Sequence, residues 1–321
     1  MKVIEILNKA EKPFASFELV PPLKGSDVEK LYGAIEPLLE FKPPFINITT
    51  HRDEIEFRPT TNGRQDGCFE KVTVTKRPST VAIAAAIMKR FDLEIVPHLI
   101  CGGVGRSKLE NDLLDFHFMG IHNVVALRGD AVSGQKLFTP EPDGHSHCYE
   151  LVQQIHSMNE GKYLDYNLSD AVATDFCVGV GGYPEKHVES PNQETDIQFL
   201  KQKVDAGADY IITQLFFDND RFYDFVKRCR AVGITVPIVP GLKPISTQKH
   251  IDMLPRTFSI DLPEALMKEI RKCKNKEDFY HTGIEWCTMQ SKDLLKHGVP
   301  AIHYYTMGKA DNIREILTKT F

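Results

Sequence analysis

The chain has 321 residues, 42% hydrophobic and 26% charged, and 44 acidic against 39 basic residues give a formal net charge of −5. That length allows one large domain or two ordinary ones, and the apolar fraction supplies a sizeable core. A mildly acidic chain offers no electrostatic case for nucleic acid, no apolar run reaches the length of a membrane span, and residues 1–12 lack the apolar core of a signal peptide. Seven cysteines, at 68, 101, 148, 177, 229, 273 and 287, are scattered without a C-x-x-C pair. An odd, unclustered set implies free thiols in a reducing cytoplasm, mostly as buried small apolar residues, and neither a disulfide frame nor a zinc site.

The spacing predicts a short helix over 1–12 and a first strand over 14–20, which stops at Pro21-Pro22. Along that strand Phe17 and Leu19 face one way and Ser16, Glu18 and Val20 the other. A carboxylate amid apolar strand residues is out of place. If buried, its pKa is raised and it can donate a proton near neutral pH; on an exposed edge, or paired with an Arg or Lys, it is structural. A helix over 27–41, with Ser26 as N-cap, precedes a second strand over 45–50. The polar stretch 51–78, carrying Arg52, Asp53, Arg58, Arg64 and Asp66, is too long for an ordinary connection and reads as a functional loop with a small strand at 72–75. An alanine-rich helix at 80–90 leads to strand three at 94–101, and a helix at 107–119, stopped by Gly120, leads to strand four at 123–127. A second long loop, 131–146, precedes a helix at 147–159 and strand five at 176–181. Helix 195–206, strand six at 210–216, helix 219–232 and strand seven at 237–240 continue the alternation. Region 246–297 reads as two or three helices broken at Pro255, Pro263 and Asn275, followed by strand eight at 301–306 and a last helix at 310–318.

Strict alternation implies parallel strands and right-handed crossovers, and eight units in this length fit a (β/α)8 TIM-type barrel, one catalytic domain over 1–321. Three helix-to-strand turns share one grammar: Met119-Gly120-Ile121, Ala206-Gly207-Ala208 and Val232-Gly233-Ile234. There is no G-x-G-x-x-G after the first strand, no P-loop, no G-x-S-x-G and no metal set. Active sites of such barrels lie at the strand C-termini. Those positions hold Glu18, Thr49, His98, Arg128, Gly129, Asp130, Tyr183 with His187 beyond it, Gln214 and Tyr305. Each has a plain structural explanation alone. Together they describe a barrel mouth built for a ligand.

Several pieces of the chain resemble the methylenetetrahydrofolate reductase family. They are Ser16-Phe17-Glu18 with Pro21-Pro22, Pro97-His98-Leu99, Ala126-Leu127-Arg128-Gly129-Asp130, Tyr183-Pro184-Glu185 with His187, Lys203-Val204-Asp205-Ala206-Gly207-Ala208 before Ile212-Thr213-Gln214, Pro240-Gly241 and His303-Tyr304-Tyr305-Thr306. The resemblance runs over about 14–312 and rests on order and spacing together. It implies an FAD enzyme: NAD(P)H reduces the flavin and leaves, then the flavin passes a hydride to the one-carbon unit of 5,10-methylenetetrahydrofolate. Glu18 matches the family's general acid and Asp130 the acidic residue beside the flavin and the pterin. Thr49, His98, Arg128, Gly129, Asp130, Tyr183, His187, Asp196 and Lys203 match FAD-binding positions. Gln214, Tyr305 and Lys309 match substrate-binding ones. A homo-oligomer without the C-terminal regulatory domain of some members, and so without inhibition by S-adenosylmethionine, is also implied.

The chain departs from the family at Thr50-His51-Arg52 and the insert after it, where a short glycine-rich segment is usual, and in the longer loop at 131–146. It departs also at His147, where an aromatic flavin contact is common, at Lys309, where an Arg is common, and at Leu254, where a Phe is expected near nicotinamide and folate. Rival readings are a flavin barrel of proline dehydrogenase type, a variant fed electrons by a protein partner, and a non-catalytic flavin- or folate-binding barrel.

Overall fold

Apolar residues two apart need an apolar layer on each side, and in a closed barrel one side is the lumen and the other the ring of helices. The computed structural model describes residues 1–59, 69–132, 134–308 and 310–321. Its strands are β1 (Phe14–Leu19), β2 (Phe45–Ile48), β3 (Glu54–Pro59), β4 (Phe69–Val74), β5 (Glu94–Ile100), β6 (Asn123–Leu127), β7 (Cys177–Gly182), β8 (Tyr210–Leu215), β9 (Ile238–Leu242) and β10 (Ala301–Tyr305). Eight close a parallel barrel in the order β1-β10-β9-β8-β7-β6-β5-β2, so the fold is the (β/α)8 barrel that the alternation predicts. Phe17, Ile46, Ile95, Val124, Val178, Ile211, Ile302 and Tyr304 point outward into the layer beneath the helices. Phe45, Val96, Val125, Cys177, Tyr210, Val239 and Ala301 fill the lower lumen, where Val3 and Leu7 join them from α1 (Val3–Lys9). The Asn123 side chain holds α1 there. Its carbonyl accepts the Val3 N–H at 2.7 Å and its amide donates to the Met1 carbonyl at 3.0 Å. The lower lumen is thus plugged, and open space remains at the opposite end.

The helices follow the expected order, with local corrections. Ser26 does not cap α2 (Glu29–Ile35). The Asp27 carboxylate takes the Glu29 N–H instead, and Pro37 turns the continuation, Glu36–Phe41, into a 3-10 helix because it lacks the N–H that an α turn needs. Next come α3 (Thr80–Arg90), α4 (Arg106–Phe118), α5 (Cys148–Asn159), α6 (Gln193–Asp205), α7 (Asn219–Ala231) and α8 (Lys249–Phe258). The break expected at Pro255 is absent, because α8 runs through it. Ile251, Leu254 and Phe258 bury together against Leu215, Phe217 and Ile245, which holds the helix across the missing bond. Pro263 and Asn275 do divide the region, as N-caps of α9 (Glu264–Ile270) and α10 (Lys276–Lys296), and α11 (Asp311–Thr320) follows β10. The turn glycines 120, 207 and 233 all have positive φ, as their shared grammar implies.

The stretch 51–78 is not simply a loop. β3 and β4 pair as an antiparallel hairpin, with Ile55 opposite Thr73 and Phe57 opposite Lys71. Period-two alternation in both segments accounts for it, although only the second was expected to form a strand. Arg64 and Asp66 lie outside the described residues. The hairpin base is fastened to the segment after β1: the Arg77 guanidinium donates to the Pro21 carbonyl, and the Lys24 N–H donates to the Lys76 carbonyl at 2.8 Å.

Packing separates two helical glycines. A Cβ on Gly283 of α10 would lie 1.6 Å from the Ile245 carbonyl oxygen, whereas one on Gly33 of α2 meets nothing within 4 Å. Gly283→Ala is expected to cost about 1–3 kcal/mol, and Gly33→Ala to gain about 0.5–1 kcal/mol by lowering unfolded-state entropy. Urea unfolding of both variants checks the pair, and equal effects would contradict the packing described.

Candidate active site

Alternation also decides what faces the upper lumen. Register sets Ser16 opposite His303 and Glu18 opposite Tyr305 on β10, with Asn47 of β2 on Glu18's other side. These residues, apart from Ser16, line a cavity of about 1100 Å³ at the strand C-termini. Thr49, His98, Arg128, Gly129, Asp130, Tyr183, His187 and Gln214 line it too, so the structure gathers most of the residues singled out by sequence. The hairpin forms part of its wall through Ile55, Phe57 and Lys71.

Glu18 lies at the cavity floor with its side chain 14% exposed. Burial pushes its carboxyl up to about 8, against the pull of Lys243, so it is protonated at neutral pH. His98 Nε2 is 4.0 Å from Glu18 Oε2. Burial, with repulsion from His51, holds His98 down at about 3, so this approach joins two neutral groups and is no salt bridge. The Asn47 amide donates to His98 Nε2 at 3.1 Å. His303, also held down at about 3 by burial and then by His98, shares a hydrogen bond of 2.9 Å with Ser16 through Nδ1. Asn47 Oδ1 and His303 Nε2 are buried without a hydrogen-bond partner among the described residues. Polar atoms in that state are costly unless a ligand or water meets them.

Backbone contacts fix the acid's surroundings. Thr306 Oγ1 donates to the Glu18 carbonyl at 2.8 Å. Tyr305 donates its hydroxyl to the Thr213 carbonyl at 2.6 Å. That bond needs Gly241, because a Cβ there would stand 2.2 Å from the same carbonyl oxygen and 2.7 Å from the Tyr305 ring. Gln214 accepts the Leu215 N–H at 2.9 Å through its side-chain oxygen, which leaves the amide NH2 for other partners.

The opposite side of the mouth is more exposed. Asp130 is exposed there, and Arg52 donates to its carbonyl at 3.4 Å. Arg128 is tied within the chain: its guanidinium meets Glu189 in a two-bond fork at 2.7 and 2.8 Å and stacks 4.7 Å from the Phe138 ring centre. Tyr183 and His187 meet edge to face at 4.9 Å, and His187 Nδ1 accepts the Glu189 N–H at 3.1 Å. Lys203 and Asp196, on α6, are not among the lining residues. Lys203 donates to the Gly181 carbonyl at 2.9 Å and lies 5.7 Å from the Tyr183 ring centre, while Asp196 accepts from the Ser190 hydroxyl at 2.7 Å.

Lys309 lies outside the described residues. His147 stacks on Tyr149 and Phe199, at 5.5 and 6.0 Å between ring centres, and does not line the cavity. Leu254 is fully buried in its cluster, and Phe258, one turn further along α8, lines the cavity instead. Sequence reading passes over Asn47, His303 and Lys243 as site residues. The signal for the first two is the same alternation that exposes Glu18, and for Lys243 it is a cation at the end of the apolar run 237–242.

The raised carboxyl has a thermodynamic signature. Its folded pKa of about 8 exceeds the ordinary 4.5, so the folded state holds the extra proton between those values and wild-type stability falls as pH rises through that window. Glu18→Gln removes this dependence. Its stability relative to wild type is expected to rise by up to about 1.4 kcal/mol per pH unit and to level off above about pH 8. Denaturant unfolding of both forms across pH checks this, and a flat difference would show an ordinary carboxyl.

The chain matches the family described as methylenetetrahydrofolate reductase over residues 2–320. A probable methylenetetrahydrofolate reductase (NADPH) of Caenorhabditis elegans is 30% identical over 98% of this chain and 43% of its own length. Methylenetetrahydrofolate reductase (NADH) 1 of Arabidopsis thaliana is 31% identical over 95% and 48%. The chain therefore spans about half the length of these relatives, but 86% of the 5,10-methylenetetrahydrofolate reductase of Pectobacterium carotovorum, which is 30% identical over 92% of this chain. Among solved structures, a Clostridium thermocellum protein that binds two copies of 5-methyl-5,6,7,8-tetrahydrofolic acid shares the fold, with TM-score 0.57 and 15% identity over 98% of this chain and 97% of that one. With its barrel, its buried strand-one carboxyl and a match over nearly its whole length, the chain belongs to the methylenetetrahydrofolate reductase family.

Proposed function

We propose that this chain reduces 5,10-methylenetetrahydrofolate to 5-methyltetrahydrofolate with NAD(P)H as electron source, by a ping-pong route through FAD and with Glu18 as general acid. The observation that carries the reading is the Glu18 carboxyl at the floor of a large cavity, where burial pushes its pKa up to about 8. A carboxylic acid kept neutral at pH 7 is what protonation of an amine nitrogen requires.

The cavity suits the flavin. Its volume of about 1100 Å³ exceeds what one small ligand needs, so a cofactor and a substrate can share it. Gly181 turns bare backbone to it, where a Cβ would stand 3.3 Å from Leu127 and 4.0 Å from the Tyr183 hydroxyl, and this leaves room for close approach by a flat ring system. Asn47 Oδ1 and His303 Nε2 supply polar atoms that lack partners among the described residues. Thr49, His98, Arg128, Gly129, Asp130, Tyr183 and His187 would hold FAD from the cavity side, with Asp196 and Lys203 supporting from α6. When bound, the flavin supplies the means to accept a hydride from reduced nicotinamide and return it to a one-carbon unit.

This chain's own residues do the rest. Glu18 gives its proton to the folate amine, so that the methylene bridge opens to an iminium ready for hydride. Asp130, exposed at the mouth, would set a carboxylate beside the flavin, where it would tune the cofactor's potential, and would meet the pterin. The Gln214 NH2 would hydrogen-bond a pterin or carboxamide edge. Tyr305, held by the Thr213 carbonyl, offers its ring, and Lys309 offers a point charge to the glutamate tail.

The purified protein is expected to carry or take up FAD, shown by the visible flavin spectrum. NADH should bleach it anaerobically, and methylenetetrahydrofolate should restore it. In Glu18→Gln, reoxidation by folate should slow by about 10²–10⁴-fold, while reduction by NADH stays within a few-fold of wild type. Folate-driven reoxidation at an unchanged rate would remove Glu18 as the acid, and failure of NADH to bleach the flavin would favour a protein electron donor.

A further inference from the structure

Lys243 follows β9 directly, and register fixes its place. Gly241 lies opposite His303 and Leu242 opposite Tyr304, while Tyr305 lies opposite Glu18. The next step along β9 brings Lys243 beside Tyr305. Glu18, Tyr305 and Lys243 thus form one row across three neighbouring strands, and all three line the cavity. Lys243 is 6% exposed. A buried ammonium is costly, and packing alone is better served by the apolar side chains that precede it.

The polar and titratable groups that share the cavity floor with Glu18 come from four strands: Asn47 from β2 and Tyr305 from β10 in register with it, His98 from β5 at 4.0 Å, His303 from β10 opposite Ser16, and Lys243 from the end of β9. Both imidazoles are neutral near pH 7, and burial keeps the Tyr305 phenol protonated. Lys243 is the group that acts on Glu18 as an opposing charge.

That matters for a proton donor. Burial keeps the proton on Glu18 but penalises the carboxylate left after it departs. In the step proposed above, the proton moves from Glu18 to the amine nitrogen of the substrate. The bond from that nitrogen to the one-carbon unit then opens, the nitrogen keeps the electron pair, and the one-carbon unit stays as an iminium on the other nitrogen. Glu18 ends as an anion in the same desolvated cavity. We propose that Lys243 is a positioning residue for this step, placed across Tyr305 to stabilise the carboxylate that Glu18 becomes and so to set the pH range in which Glu18 works as an acid. The proposal rests on the reading of Glu18 as the acid.

The test compares wild type, Lys243→Met, Lys243→Gln and Lys243→Arg, each with and without Glu18→Gln, by unfolding of the purified full chain from about pH 5 to about pH 10. In wild type the stability difference made by Glu18→Gln levels off near pH 8. In Lys243→Met or Lys243→Gln the levelling point is expected to move up by about one unit or more, and Lys243→Arg should return it close to the wild-type value. The alkaline limb of folate-driven flavin reoxidation should shift in the same direction. An unmoved levelling point in whichever neutral variant folds, or a shift that Lys243→Arg does not reverse, overturns the role of Lys243. A stability difference that is flat with pH in wild type itself overturns the buried acid, and so separates failure of that reading from failure of this one.

Discussion

Withdrawal of one carboxyl from water is the constraint on which the barrel mouth depends. Ionising Glu18 would place a carboxylate where solvent hardly reaches it, and the pull of Lys243 does not repay that loss of hydration. The proton therefore stays. Around it the fold places groups that do not compete for that proton: two imidazoles kept neutral by their own burial, and a phenol whose hydrogen is committed to the Thr213 carbonyl. The neutral state of His98 matters to Glu18, since a protonated imidazole at 4.0 Å would draw the carboxyl back toward its ionised form.

The second acidic residue shows the same physics from the other side. Asp130 has the chain's own Arg52 at its carbonyl and open solvent around it, just past the end of β6, while Glu18 sits on the cavity floor on β1. The two carboxyl groups thus differ in depth, one exposed at the mouth and one on the cavity floor. Arg128, also in the cavity lining, is braced by Glu189 and Phe138, which ties the segment after β6 to the segment after β7. A cation fixed in a two-bond fork is held in one orientation, which suits it to shape a wall as much as to carry charge.

Much of this was legible in the sequence because barrel strands obey a period of two. Side-chain alternation gave Glu18 its direction, and the strict succession of strands and helices gave the unit count, with the helix–glycine–strand grammar recurring at three of the turns. The same period, applied to every strand, would have found Asn47 and His303 as well. The hairpin was harder to see. Its first strand, Glu-Ile-Glu-Phe-Arg-Pro, is half charged, and it depends on pairing with a second segment that lies beyond a long polar stretch. Pro255 misled for a different reason: propensity marks a break, but burial of Ile251, Leu254 and Phe258 outweighs one missing hydrogen bond. The tie between Arg128 and Glu189 spans 61 residues and no local pattern encodes it.

The contact among Gly241, Tyr305 and the Thr213 carbonyl joins β8, β9 and β10 at the level of the acid. No side chain larger than hydrogen fits at 241 without displacing that phenol, so this flank of the cavity has no room to drift. The hairpin flank is different, because Phe57 is 69% exposed and Ile55 38%. Room to change what the cavity admits therefore lies on one side: substitution along β3 and β4 reshapes the wall without disturbing the flank that holds Glu18.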